Sequence, residues 1–355
     1  MPKITINEQE IDARQGQTII QAALEHGIDI PHYCYHQDLP IDGNCRMCLV
    51  DVEKMPKLTP ACTTTCGDGM KVTTNNEKVK QAVRGVLEFL LINHPLDCPI
   101  CDQAGECHLQ DLSYEHGKAG TRYEFQRRTF HKVSLGDYIQ LHMTRCILCY
   151  RCVFTADQLT GKREHGVLDR GDHAQIATYI EKNLHNEFIG NVIDVCPVGA
   201  LTDRTFRFKN RVWFTKPVDA HRDCPTCCGE VQLWMRGDEV FRITGRKDEW
   251  GEIKDSTKGT PGWICNTCRF EKKHINDWGI EGPSKVNRHS VISQGHYVGL
   301  KKPEETIEKI MDGRKPRFFM DIHSVSEVNR PGIELSLLEG PATSKTFDEP
   351  QNNSK

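Results

Sequence analysis

An α+β chain of several small domains, each gathered around cysteines, is predicted by three observations. Seventeen cysteines occur in 355 residues. They fall into groups along the chain rather than spreading evenly. Between the groups lie short alternating stretches that read as strands, and one long amphipathic stretch that reads as a helix. The densest group is His94-Pro-Leu-Asp-Cys98-Pro-Ile-Cys101-Asp-Gln-Ala-Gly-Glu-Cys107, in the pattern H-x3-C-x2-C-x5-C.

The bulk properties narrow the choice. This length suits two or three domains. A formal charge of −3 gives no sign of a nucleic-acid surface. No apolar run approaches the eighteen or so residues of a membrane span. Met1-Pro2-Lys3 runs directly into the alternating Ile4-Thr5-Ile6, so no signal or transit peptide is expected and a cytoplasmic location is. In a reducing compartment so many cysteines suggest thiolate ligands or catalysis rather than disulfides. Zinc and iron–sulfur centres both use four thiolates, so spacing has to separate them.

Residues 1–30 read strand, turn, strand, helix. Ile4 and Ile6 alternate with polar residues, Gln9–Asp12 follows a polar turn, and Thr18 can cap a helix bearing Ile19, Ile20, Ala23 and Leu24 that ends near Gly27. Cys34, Cys45, Cys48 and Cys62 then give C-x10-C-x2-C-x13-C, the first three in a loop with Pro40, Asp42, Gly43 and Asn44. Cys48 leads into the strand-like Leu49-Val50-Asp51-Val52. Thiolates on a long loop around a small sheet suit a [2Fe–2S] centre surrounded by backbone N–H donors, although the first gap is longer than the plant-type spacing. Such gaps are unlike ordinary zinc ribbons. With the flanking words Cys45-Arg-Met-Cys48-Leu-Val and Pro60-Ala-Cys62, this stretch resembles the N-terminal ferredoxin domain of one family, the large iron–sulfur (G) subunits of NADH-quinone oxidoreductase, which is respiratory complex I. The resemblance implies a β-grasp [2Fe–2S] domain over 1–78. Cys66 is left as a small packed residue.

Residues 76–92 form the amphipathic helix, with Val79, Ala82, Val83, Val86, Leu87, Leu90 and Leu91 at helical spacing, and Asn93-His94-Pro95 ends it. It delivers His94 to Cys98, Cys101 and Cys107. Residues alone leave this set open between zinc with one imidazole and iron. The full pattern, followed by Leu109-Gln110-Asp111-Leu112 and placed directly after a [2Fe–2S] domain, resembles the same family, which implies a helical [4Fe–4S] segment over 79–118 with His94 as a ligand. An imidazole in place of a thiolate makes the cluster less negative and should raise its potential. Residues 118–140, with Arg122, Arg127, Arg128, His131 and Lys132, read as a charged connector. His108, His116 and His131 read as solvated or as supporting donors.

Cys146-Ile-Leu-Cys149-Tyr-Arg-Cys152 opens like a bacterial ferredoxin run, whose fourth cysteine would fall at Ala156. A Cys-Pro pair occurs instead at Cys196-Pro197. Counting back from it, a second run would need cysteines at Asn186, Ile189 and Val192. All four ligands of one cluster are therefore present (Cys146, Cys149, Cys152, Cys196) and all four of the other are missing. A ferredoxin-like domain over 138–216 that keeps one [4Fe–4S] cluster follows.

The last group is Cys224-Pro-Thr-Cys227-Cys228-Gly and Gly262-Trp-Ile-Cys265-Asn-Thr-Cys268-Arg-Phe270, with Val240–Ile243 strand-like between them. It resembles the β-rich iron–sulfur domain that opens molybdopterin oxidoreductases, over 217–273. It departs from that pattern, with Val231 at the third cysteine position and Cys268 in place of a glycine. Cys224, Cys227, Cys265 and Cys268, with Cys228 as competitor for Cys227, could hold a third [4Fe–4S] cluster or zinc, since C-x2-C…C-x2-C is also a zinc-ribbon spacing. The tail, 274–355, lacks cysteine; a helix at 303–311, a strand at 316–322 and a disordered end from about 340 are expected.

No Gly-rich nucleotide loop, P-loop, Ser-His-Asp or paired-carboxylate arrangement appears. The sequence therefore reads as an electron relay with no catalytic residues, NADH site or quinone site of its own. The resemblance implies a short form of the large iron–sulfur subunit, without the large molybdopterin-like domain, peripheral on the cytoplasmic side of the inner membrane. It also implies a flavin-containing NADH-oxidising partner, downstream iron–sulfur and membrane partners, and electron flow toward quinone through the His94 and Cys146 clusters. Two other readings stand beside it: the diaphorase-type iron–sulfur subunit of an NAD-linked hydrogenase or formate dehydrogenase, and a zinc-organised scaffold protein.

Overall fold

The computed structural model describes residues 1–284 except 119, 131, 161–164, 179–183, 228 and 247–261. Cys228, His131 and the features expected at 303–311, 316–322 and beyond 340 lie outside the described residues.

The chain begins with the hairpin β1 (Lys3–Ile6) and β2 (Gln9–Asp12). Its turn uses Asn7 and Glu8 at positive φ, which matches the twist of the paired strands. Helix α1 (Ile19–Glu25) follows, and the Thr18 N–H donates to Gln21 Oε1 at 3.0 Å, one half of a capping box. Next come β3 (Leu49–Val52), β4 (Thr59–Pro60) and β5 (Met70–Thr73). The sheet order is β2-β1-β5-β3-β4, with β5 parallel to β1 and the other pairs antiparallel. Ile4 and Ile6 on β1, Val50 and Val52 on β3 and Ile19 and Ile20 on α1 close the core of this unit.

Helix α2 (Glu77–Ile92) is capped by Asn76, whose side chain accepts from the Val79 N–H. It buries Val79, Val83 and Leu87, and it packs against α3 (His108–His116) and β3. Within the expected connector the chain forms β6 (Lys132–Ser134), which pairs with β7 (Ile139–His142). That stretch is therefore partly sheet, because its end pairs with β7, while Arg127 and Arg128 reach the turn at His94. The Arg127 guanidinium donates to the His94 carbonyl, and the Arg128 N–H donates to Asn93 Oδ1 at 3.0 Å.

The next unit holds α4 (Arg151–Thr160), the hairpin β8 (His165–Leu168) with β9 (Gln175–Thr178), α5 (Asn191–Val195) and β10 (Leu201–Asp203), which pairs with β7. Ala156, Ile189 and Val192, three of the four positions where a second cluster would have been held, are buried in one apolar core with α2, α3 and the Cys146 loop. Packing there takes the space that the missing cluster would need. The last sheet, β13-β12-β11-β14, is formed by β11 (Lys216–His221), β12 (Glu230–Arg236), β13 (Glu239–Gly245) and β14 (Gly279–Pro283), all antiparallel. It runs past residue 273, because β14 returns to pair with β11. Val231 is fully buried on β12 as a core residue.

Candidate metal centres

In the first centre the loop after α1 carries Cys34, Cys45 and Cys48, and the turn after β4 carries Cys62. Arg46, at φ +56, reverses the backbone between Cys45 and Cys48. The Cys34 thiol hydrogen-bonds to both Cys45 and Cys62, and the Cys48 thiol to Cys62, all four being free cysteines. The contacts thus run as a chain, Cys45–Cys34–Cys62–Cys48. The Cys34 N–H donates to Cys45 Sγ at 3.4 Å, and Gly43 and Met47 supply further backbone donors. Hydrogen bonds from Cys45 and Cys62 push the Cys34 thiol down, favouring its thiolate. Four sulfurs strung in close pairs and ringed by N–H groups fit a two-iron centre, which takes two thiolates on each iron.

At the second centre, His94, Cys98, Cys101 and Cys107 all line one cavity, with Leu91, Leu109 and Arg145 around it. The short turn Cys98–Ile100 and the first turn of α3 set their spacing. Burial, then the charge of Arg145, pushes His94 down to about 4, so its imidazole is neutral and able to ligate near pH 7. Burial pushes the Cys101 and Cys107 thiols up. The buried Arg145 pairs with Asp97 Oδ2 at 2.8 Å and faces the same cavity. A cradle of three thiols and one neutral imidazole beside a buried cation fits a negatively charged cluster.

The third centre gathers Cys146, Cys149, Cys152 and Cys196 around one cavity walled by Leu141, Ile176 and Val198. Leu148 and Tyr150 adopt φ of +53 and +61, values that bulky residues rarely take. The strained loop turns the Leu148 N–H onto Cys146 Sγ at 3.3 Å. Backbone N–H groups of Val198, Ala200 and Leu201 face the Cys196 sulfur. Burial pushes the Cys149 thiol up to about 12 and raises the other three, so metal loading here must release protons. Arg151 is buried beside them with its Nε unpartnered, and its charge favours the Cys149 and Cys196 thiolates. That guanidinium fits an anionic cluster in the cavity.

In the fourth centre Cys224 and Cys227 lead toward β12, and Cys265 and Cys268 bracket the start of the π-type turn Thr267–Glu271. The Cys224 and Cys265 sulfurs are 3.8 Å apart and those of Cys227 and Cys268 3.7 Å, with all four within 4.8 Å of one another.

The centres are stitched together by residues to which sequence reasoning gave no such linking role. Asn44 Nδ2 donates to the Leu148 carbonyl at 3.0 Å, and Arg151 donates to the Tyr35 carbonyl, so two contacts join the first and third loops. The His108 N–H donates to the Pro197 carbonyl at 3.1 Å. A Cβ at Gly199 would lie 2.1 Å from Cys101 Sγ. The strip Cys196–Gly199 therefore serves the third centre and walls the second. Arg145 and Arg151 each sit next to a cysteine of the run, which was the signal available for them.

Among the described residues no helix is long and apolar enough to cross a membrane. Three family descriptions match the chain: a 2Fe-2S iron-sulfur cluster binding domain at residues 2–77, the NADH-ubiquinone oxidoreductase-G iron-sulfur binding region at 84–122, and the ferredoxin-like domain of NADH-quinone oxidoreductase subunit 3 at 136–202. The chain is 43% identical to the NADH-quinone oxidoreductase G subunit of Rickettsia conorii, over 96% of this chain and 49% of the relative. It is 39% identical to that of Rickettsia bellii, over 92% and 46%. With the mitochondrial NADH dehydrogenase [ubiquinone] iron-sulfur protein 1 of Solanum tuberosum it shares 41%, over 95% and 46%. The chain thus spans about half the length of the curated relatives it matches. Among solved structures, a chain of an NAD+-reducing [NiFe]-hydrogenase in the H2-reduced state aligns with TM-score 0.54 and 27% identity, over 59% of this chain and 91% of that one.

Proposed function

This chain is homologous, over almost all of its length, to the large iron–sulfur (G) subunits of NADH-quinone oxidoreductase, and from that premise we propose that it is the iron–sulfur relay subunit of a bacterial NADH:quinone oxidoreductase. One [2Fe–2S] cluster is assigned to Cys34, Cys45, Cys48 and Cys62, in a β-grasp domain over 1–78. One [4Fe–4S] cluster is assigned to His94, Cys98, Cys101 and Cys107 within 79–118, and another to Cys146, Cys149, Cys152 and Cys196 within 138–216. When bound, each cluster supplies one-electron oxidation and reduction at a potential the surrounding protein sets.

The observation that carries the reading is the shared backbone between the centres. Asn44 and Arg151 fasten the Cys34 loop to the Cys146 loop, and Pro197 and Gly199 fasten the Cys196 strip to the His94 loop. These contacts support an order in which the Cys146 centre stands between the other two. The apolar walls of Leu141, Ile176 and Val198 exclude water from the middle centre. Arg145 and Arg151 balance thiolate charge in a setting of low dielectric. Cys98 is the exposed ligand, flanked by Leu96 and Ile100, which are 85% and 54% exposed. That apolar rim around an exposed ligand suits a docking point for a downstream iron–sulfur partner. The flavin-containing, NADH-oxidising partner would feed the [2Fe–2S] side. The assembly would sit peripherally on the cytoplasmic side of the inner membrane.

The hydrogenase likeness favours a second reading, the diaphorase-type subunit of an NAD-linked hydrogenase. It accounts for 59% of this chain, whereas the Rickettsia relatives account for more than 90%. Genes for proton-pumping membrane proteins beside this one would favour the first reading. Anaerobic purification tests the relay itself. A brown protein with about ten irons and one [2Fe–2S] plus two [4Fe–4S] EPR signals is expected. A colourless protein would reject it.

A further inference from the structure

The Cys224, Cys227, Cys265 and Cys268 sulfurs are too close together for a [4Fe–4S] cluster, one of the two centres that the sequence left open. Ligands around one tetrahedral ion with metal–sulfur bonds of about 2.3 Å stand about 3.8 Å apart. The observed separations of 3.8 and 3.7 Å, with all four sulfurs inside 4.8 Å, match that single-ion tetrahedron. A four-iron cluster holds each thiolate on a different iron, so its sulfurs are spread by the width of the iron–sulfide core as well. This set is closed to the contact distance of one ion and leaves no space for such a core. The contrast lies within the same chain. Among the described residues no other three His, Cys, Asp or Glu ligand atoms lie so close together.

We propose that Cys224, Cys227, Cys265 and Cys268 bind one zinc ion, as a closed structural site off the electron path. Two cysteine pairs at C-x2-C spacing, joined by a β-hairpin, give four thiolates and no vacant coordination position, the arrangement of structural zinc. Cys265 and Cys268 are 2% and 0% exposed and belong to the core of the last sheet. The Cys268 N–H donates to Cys265 Sγ at 3.5 Å, which turns a backbone dipole onto the thiolate.

The ion would do mechanical work for the third centre. Arg269, next to Cys268, pairs with Asp194 at 2.8 Å and donates to Asn191 Oδ1 at 2.8 Å. Both partners lie on α5, which ends at Cys196. Asn191 also bonds the Ile264 carbonyl and N–H at 2.9 and 3.1 Å, one residue before Cys265. Fixing the 265–268 knuckle therefore fixes the helix that presents Cys196.

The full chain, purified anaerobically from cells supplied with both iron and zinc, tests this by metal analysis and zinc X-ray absorption. One zinc per chain with four sulfur neighbours at about 2.3 Å is expected. Cys227→Ser and Cys268→Ser should each lose the zinc while the [2Fe–2S] and His94-centre EPR signals are retained. The wild-type absorption spectrum decides the matter even where those variants fold poorly. A chain without zinc, or one with about fourteen irons and a third [4Fe–4S] signal, would overturn the proposal. The relay fails separately: a colourless chain that still binds one zinc through Cys227 would reject the three clusters and keep this site.

Discussion

An alanine at position 199 would place its methyl carbon 2.1 Å from Cys101 Sγ, although residue 199 lies just after Cys196, which is proposed for a different centre. Gly199→Ala should therefore shift or abolish the EPR signal of the His94 centre while the Cys146 signal persists; loss confined to the Cys146 signal would contradict the shared wall. His94 is the one non-thiolate ligand proposed, and burial and Arg145 hold it neutral. His94→Cys adds a negative charge, so a redox titration should show one potential lowered with the cluster retained. His165, buried on β8, is pushed down to about 4, mainly by burial. Its ordinary value is about 6.5, so the unfolded chain binds the extra proton between those limits and folding stability falls as pH falls through that window. The slope contributed is at most about 1.4 kcal/mol per pH unit. Thermal unfolding of the loaded His165→Gln variant should accordingly lose less midpoint than wild type between pH 7 and 5.

At the scale of elements, periodicity was enough for the strands β1, β2 and β3 and for helix α2. Each buries one face, and burial of a face is what a repeat of 2 or 3.6 encodes. The ligand spacing was equally readable, because the local turn between cysteines is set by their separation. Ala156, Ile189 and Val192 could be identified as absent ligands, but their common burial in one core depends on tertiary packing. The connector misled for a similar reason: Lys132–Ser134 is too short and too charged to signal a strand, and only its partner β7 makes it one. The fourth centre was legible as a group of cysteines and not as a metal, since C-x2-C pairs serve both zinc and iron, and the close sulfur–sulfur distances behind the zinc proposal depend on tertiary packing. At the surface, Leu96 and Ile100 gave no periodic signal, yet they rim the exposed Cys98. Leu96→Asp with Ile100→Asp should weaken association with the downstream partner at least tenfold in pull-down or interferometry, with all EPR signals of the isolated chain retained.

At the scale of the whole molecule, function rests on contacts between groups that are distant in sequence. Asn44 meets Leu148, Arg151 meets Tyr35, and the Cys196–Gly199 strip meets Cys101 and His108. No spacing within a single group could reveal the proposed middle place of the Cys146 centre, because each contact spans two units of the fold. The salt bridge between Arg242 and Glu106 likewise joins the last sheet to the His94 loop. The most direct test of this order is the reduction of each centre by NADH in the assembled complex carrying Cys149→Ala, followed by freeze-quench EPR. The [2Fe–2S] signal should appear at the wild-type rate while the His94-centre signal is delayed by orders of magnitude and quinone reduction stops. A His94-centre signal that rises as fast as in the wild type would contradict the placement of the Cys146 centre between the other two.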